Sequence, residues 1–237
     1  MSRQTAQVRD ALAWLERRGS ASVREAMATR YGIVTPKAFG VPVGTIQQLG
    51  KRLGRDHDLA AALWETGWYE ARLLCAYVDD PARVTGAQMD RWAREFDNWG
   101  VCDTLCFALF DRSPAAWSKV APWSRRRAEF VKRTAFALLA SLALHDKRAD
   151  DGAFLGTFPL IGRAASDQRN FVKKGVSWAL RVIGRRNRGL NEAAVALAGE
   201  LAASPTPAAR WIGKDALREL TGAVVRRQLA ARARTSR

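Results

Sequence analysis

Apolar residues recur every three or four positions along nearly the whole chain, and no stretch alternates apolar and polar residues between hairpin dipeptides. That period predicts an all-α protein. The helices are expected over about 4–17, 22–31, 42–53, 57–66, 68–78, 85–95, 98–111, 114–121, 126–144, 151–164, 168–185, 190–203 and 206–219, each boundary good to a few residues. Turn and capping residues separate the periodic segments, as at Asp79-Asp80-Pro81, Ser113-Pro114, Ala121-Pro122, Arg186-Asn187-Arg188-Gly189 and Ser204-Pro205-Thr206-Pro207. Such short connections imply that successive helices pack antiparallel.

A weak repeat emerges when helix starts are superposed: Tyr69-Glu-Ala-Arg72, Gly100-Val-Cys-Asp103, Phe130-Val-Lys-Arg133, Phe171-Val-Lys-Lys174 and Pro207-Ala-Ala-Arg210. The intervals of 31, 30, 41 and 36 residues suit a two-helix repeat and favour an α-solenoid of antiparallel helix pairs over a closed bundle. Equivalent helices would then line a basic concave face, with Arg72, Arg133, Lys174 and Arg210 in one row. Asp103 is the single acid in that row.

Charge changes the picture next. The 237 residues hold 39 Lys and Arg against 23 Asp and Glu, a net charge of +16, so a polyanion is the natural partner. Nucleic acid is favoured over membrane, because no apolar run reaches the roughly 18 residues of a spanning helix and no leader pattern opens the chain. A cytoplasmic, monomeric protein is expected, with one repeat domain over 1–220 and a basic, frayed extension over 221–237 that carries Arg226, Arg227, Arg232, Arg234 and Arg237. Cys75, Cys102 and Cys106 lack metal-ligand spacing and read as reduced core thiols, while His57 and His145 sit at helix ends, in capping or exposed positions. No metal or organic cofactor is implied.

Candidate chemistry concentrates in Phe96-Asp-Asn-Trp-Gly-Val-Cys-Asp103, where Trp99 and Asp103 stand four residues apart and therefore on one helix face. Phe171-Val-Lys-Lys-Gly-Val-Ser-Trp178 offers a second aromatic, Trp178, on an equivalent helix. The core is the ordinary place for a Trp on an apolar helix, and Asp103 could simply neutralise Arg133. Against that reading, nine Trp is a high count for this length, and Asp is a poor mid-helix residue unless it caps or has a partner.

These residues, together with Leu63-Trp-Glu-Thr-Gly67, Glu70-Ala-Arg-Leu-Leu74, Met89-Asp-Arg-Trp92, Phe130-Val-Lys-Arg133, His145-Asp-Lys147, Asn170-Phe-Val-Lys-Lys174 and Ala209-Arg-Trp211, resemble the AlkD-like family of DNA alkylation-repair glycosylases over most of the chain. The resemblance implies HEAT-like repeats and removal of N3- and N7-alkylated purines from duplex DNA. Trp99, Asp103 and Trp178 match the catalytic aromatics and carboxylate, and Arg133 matches a basic residue near the lesion backbone. Gly100 departs from the family pattern, which often has an acidic residue there, and is expected to loosen the turn carrying Trp99, at about 1 kcal/mol relative to Ala. The segment Val34-Thr-Pro-Lys-Ala-Phe39 also matches less well.

The chemistry is consistent on its own terms. A purine alkylated at N3 or N7 is already cationic and leaves as a neutral base, so the enzyme must chiefly stabilise an oxocarbenium-like deoxyribose. A carboxylate answers that charge and can orient water, and indole faces favour a cation by roughly 0.5–2 kcal/mol each. The resemblance implies cleavage without a base-flipping pocket, tolerance of bulky adducts and poor activity on neutral lesions. Phosphate contacts are expected from Arg125-Arg126-Arg127, Lys132, Arg133, Lys173, Lys174, Arg181, Arg185-Arg186, Arg210 and Lys214. If about six phosphates were neutralised, the log-log salt slope would be near −5. The alternatives are a noncatalytic solenoid that recognises distorted or branched DNA and, last, a protein-binding scaffold, which leaves the charge and the Trp-Asp-Trp set unexplained.

Overall fold

The computed structural model describes residues 3–235, which are helical apart from connections, most of them short and the longest over residues 30–42. In order the helices are α1 (Arg3–Glu16), α2 (Ala21–Thr29), α3 (Val43–Leu53), α4 (His57–Glu65), α5 (Tyr69–Val78), α6 (Gly86–Arg94), α7 (Trp99–Ala108), α8 (Ala116–Ser124), α9 (Glu129–His145), α10 (Asp151–Leu155), α11 (Phe158–Ala164), α12 (Asn170–Gly184), α13 (Arg188–Ala202), α14 (Pro207–Leu220) and α15 (Ala223–Thr235). A 3-10 turn, Phe110–Arg112, follows α7. No helix among the described residues is long and apolar enough to cross a membrane.

Local chemistry explains where the helices begin. Asp56, Thr85, Asn98, Asp150 and Asn187 each accept a hydrogen bond from a backbone N–H of the following first turn, the ordinary use of a short polar side chain at a helix start. Pro207 opens α14, where its missing N–H is no loss. The expected second-helix starts fall within one residue of α5, α7, α9, α12 and α14. Expected helix 151–164 is instead two, broken at Gly156-Thr157, and expected helix 98–111 ends at Ala108 before the 3-10 turn.

The chain divides into two compact units, Met1–Ala115 and Ala116–Arg237. In the first, α5 packs against α3, α4 and α7, and α1 covers α4. Trp64 stacks on Trp92 at 4.3 Å between ring centroids, and both rings are fully buried. At the end of α5 Asp79, fully buried, accepts from Gln88 and stands 2.6 Å from His57 Nδ1, and burial pushes its carboxyl above the usual range. His57, at the start of α4, is thus a hydrogen-bond partner of a buried carboxyl, beyond the capping or exposed position expected of it.

In the second unit α9 packs between α8 and α12, and α12 also meets α11, α13 and α14. Twelve of the residues of α9, from Val131 to Ala143, are buried, which makes it the central helix of this unit. The segment expected as a frayed tail carries α15, which packs on α14 with Val225 buried. Arg237 and the Arg234 side chain lie outside the described residues.

Candidate functional site

The geometry around Trp99 and Asp103 starts with the turn that precedes them. Asn98 accepts from Val101 N–H at 3.0 Å and so opens α7 at Trp99, which places Asp103 one turn further on. Both side chains are half-buried. The Trp99 ring is held from outside its own helix: Nε1 donates to the Tyr31 carbonyl at 2.8 Å, and the Tyr31 ring meets it edge-on at 6.4 Å.

Tyr31 is placed by the turn that ends α2. Gly32, at φ +62°, takes a left-handed conformation that a side chain disfavours. The next residue, Ile33, returns its N–H to the Met27 carbonyl at 2.8 Å and is buried.

Gly100 is explained by the same neighbours. A methyl group there would stand 2.6 Å from the Tyr69 hydroxyl oxygen and 3.0 Å from Ile33 Cδ1. The departure from the family pattern is therefore a close approach between α7 and the start of α5, where the sequence reading expected a loosened turn. Tyr69 was not among the expected site residues. It is buried, and its hydroxyl is pushed well above the usual tyrosine range, first by burial and then by the charges of Glu70, Asp97, Tyr77 and Asp103. It therefore remains a protonated, neutral phenol. The only sequence signal for it was Gly100 itself, a glycine where a helix former is expected.

The poorly matching segment before Phe39 ties into this arrangement. Fully buried Glu70 accepts from the backbone N–H groups of Phe39, Gly40 and Val41 at 3.0, 2.7 and 3.2 Å. Three charge-assisted bonds fix that loop. Phe39 stacks on Trp68 at 3.9 Å, and Tyr69 N–H donates to the Lys37 carbonyl at 2.8 Å. A cavity of about 410 Å³ lies behind Trp99, between α2, this loop and Tyr69.

The remaining expected residues belong to the second unit, on α9, α12 and α14, in the connection between α8 and α9 (Arg125-Arg126-Arg127) and just after α12 (Arg185-Arg186). Trp178, on α12, is half-buried. Arg133 is buried, with Nη1 donating to the Phe171 carbonyl at 2.7 Å, so it joins α9 to α12. Lys132 pairs with Asp167 at 3.0 Å, and Arg169 holds the Asp167 carboxyl well below the usual carboxylate range. Lys173 lies 4.8 Å from the Trp211 ring centroid, a cation–π contact. Arg181 pairs with Asp215 at 3.3 Å and with Glu219, and Arg210 donates to the Ser204 and Pro205 carbonyls at 3.1 and 2.6 Å. Lys174, Lys214 and the run Arg125-Arg126-Arg127 are exposed.

In the first unit Arg72 pairs with Glu95 at 2.8 Å beneath the Trp64 ring, so its charge serves that unit's own packing. Cys75, Cys102 and Cys106 are buried and form no disulfide.

Among solved structures, the chain is similar to a protein from a new family related to the HEAT-like repeat DNA glycosylases, with affinity for branched DNA structures. The identity is 19%, the TM-score 0.74, and the match covers 90% of this chain and 95% of that one. A designed armadillo repeat protein in complex with a (KR)4 peptide matches at 13% identity and a TM-score of 0.39, over 79% of this chain and 80% of that one. None of the curated proteins matches the chain. The first likeness shows the fold, an all-α solenoid of helical repeats. The family model "DNA alkylation repair enzyme" matches residues 11–220, across both units and including every candidate site residue, and the chain accordingly belongs to the DNA alkylation repair enzyme family.

Proposed function

We propose that the protein is a DNA N-glycosylase that releases cationic N3- and N7-alkylated purines from duplex DNA, acting as a monomer inside the cell. The observation that carries this reading is the Trp99–Asp103 pair on the first turns of α7, in a chain that belongs to an alkylation-repair family. As the bond from C1′ to the base nitrogen breaks, its electron pair neutralises the alkylated ring and the base leaves without a general acid. The sugar is left cationic. Asp103 lies opposite that charge, the Trp99 face adds its quadrupole, and water attacks C1′ and loses its proton to the carboxylate or to solvent. The fixed Trp99 ring favours such a role, because stabilisation of a developing charge requires groups already in place. Trp178 is the second aromatic candidate, tested by its own substitution to Ala.

The experiment is release of 7-methylguanine and 3-methyladenine from methylated duplex DNA by the wild type and Asp103→Asn, with DNA binding scored in parallel. Release that disappears in the variant while binding persists supports the reading. A second reading, noncatalytic recognition of branched or distorted DNA, is favoured by the affinity for branched DNA structures in the family of the similar solved protein and by the +16 charge. Binding to junctions with no release of any alkylated base by the wild type would establish it instead.

A further inference from the structure

The cavity behind Trp99 differs from everything around it. The residues that line it include Met27, Tyr31, Ile33, Val41, Tyr69 and Trp99, and none of the described lining residues is charged. In a chain of +16 that draws phosphates elsewhere, an uncharged, aromatic-walled space selects for an apolar guest. Its volume of about 410 Å³ falls within the roughly 300–1,000 Å³ of ligand sites. Its mouth is marked by exposed apolar side chains, Tyr31 at 46% and Val43 at 43%. The walls are fixed: Tyr31 is bonded to Trp99, and Glu70 holds the loop that ends in Val41.

We propose that this cavity receives the apolar, preferably aromatic, substituent of the alkylated base, so that the protein discriminates among adducts by the group attached to the purine. The inference rests on the glycosylase reading, because Trp99 is both a wall of the cavity and a member of the proposed catalytic pair. A methyl group would leave most of the space empty, whereas an aryl ring fits between the aromatic walls. The purine itself is the poorer occupant. Its edge carries several donors and acceptors, while the lining offers side-chain hydrogen-bonding groups only at Ser22, Tyr31, Tyr69 and Trp99. Two of those are already engaged, since Trp99 Nε1 donates to Tyr31 and Ser22 Oγ bonds Ser20 Oγ at 2.8 Å.

The test compares 7-benzylguanine with 7-methylguanine, each placed in the same duplex, for the wild type and for Ala26→Trp, which fills the cavity from α2. The wild type is expected to release the benzyl adduct at least as fast as the methyl one. Ala26→Trp should lose benzyl release at least tenfold and keep methyl release within twofold. Val43→Trp at the mouth is the second variant, should Ala26→Trp not fold. An unchanged benzyl-to-methyl ratio overturns the proposal, and an equal loss of both substrates overturns it in favour of a site for the base.

If the wild type releases neither adduct, the glycosylase reading fails and binding decides the cavity separately. Free 7-benzylguanine followed by ligand-detected NMR should broaden with the wild type and not with the filled variant. Broadening that is equal with both proteins, or absent with both, sinks the site as well.

Discussion

The two halves of the chain divide its charge unequally. Residues 1–115 carry 15 Lys and Arg against 14 Asp and Glu, and residues 116–237 carry 24 against 9, so the second unit holds nearly all of the net +16. One cavity in each unit shows the same division. A cavity in the first unit is uncharged and aromatic-walled, while one of about 340 Å³ in the second has Lys147, Arg185, Arg186 and Arg232 in its lining. Trp99 and Asp103 belong to the near-neutral unit. Under the proposed function, a carboxylate that meets a cationic sugar is better placed there than among guanidinium groups, which would compete for it. Sequence-independent grip on phosphate would need the opposite, and the exposed cations of the second unit include Arg125, Arg126, Arg127, Lys174 and Lys214.

The sharpest way to break this division is Asp103→Asn. Release of 7-methylguanine should fall on the order of 100- to 1,000-fold, the range for losing one preorganised electrostatic group, with the Kd for duplex DNA unchanged within twofold. A large loss of binding would place grip as well as chemistry in the first unit.

Salt titration tests the other half. Replacing Arg125, Arg126 and Arg127 together with Ala should weaken binding about tenfold and flatten the log-log salt slope by roughly 0.9 for each phosphate that is no longer neutralised. The matched pair Arg91→Ala and Arg94→Ala, also exposed but in the first unit, should leave the slope where it was.

Smaller effects concern stability. Gly100→Ala pushes a methyl toward the Tyr69 hydroxyl and should cost about 1–3 kcal/mol in denaturant unfolding, as overpacking does. Adding Tyr69→Phe removes the nearest atom and should restore part of that loss, an outcome a simple helix-propensity account, in which Ala stabilises, does not give.

The smallest effect is expected at Asp167, whose carboxyl is held well below the usual range first by Arg169 and then by Lys132. Because its folded-state pKa lies under the unfolded value, the ionised pair stabilises the fold above about pH 4, and that contribution fades as pH falls through the folded value. Asp167→Asn should therefore lower Tm modestly at pH 7, with the gap to wild type closing in strong acid.

Much of the fold was legible because helix starts are written locally. Asn98, Asp56 and Asn187 cap, Pro207 presets its own φ, and the apolar period repeats on the scale of a helix pair. Of the five second-helix starts, α7 and α14 carry such a signal, whereas α5, α9 and α12 begin after Trp68, Ala128 and Arg169 with no side-chain cap, so that there only the apolar period and the repeat mark the start. What local signals missed was the break at Gly156-Thr157 and the folding of 223–235 into α15, whose Arg232 donates to the Arg186 carbonyl at 2.9 Å. That partner is 46 residues away, beyond the reach of any local pattern.

The candidate site divides in the same way. The i,i+4 spacing of Trp99 and Asp103 put both on one turn of one helix, because helical geometry is fixed by sequence separation. Tyr69 and Tyr31, which fix Gly100 and Trp99, stand 30 or more residues upstream, and spacing says nothing about such contacts. Arg72, Arg133 and Arg210 illustrate the converse. They looked like one basic row, but carbonyls and a carboxylate already engage them, at Glu95, Phe171, Ser204 and Pro205.

By itself the sequence determined the helices, their repeat and the placement of an indole and a carboxylate on one face, since each is a matter of local geometry and period. Only the tertiary structure decided that Gly100 is a contact, that Trp99 is held by the Tyr31 carbonyl and that an uncharged cavity opens behind it. Those features depend on surfaces brought together from distant parts of the chain, where packing rather than sequence separation sets the distances.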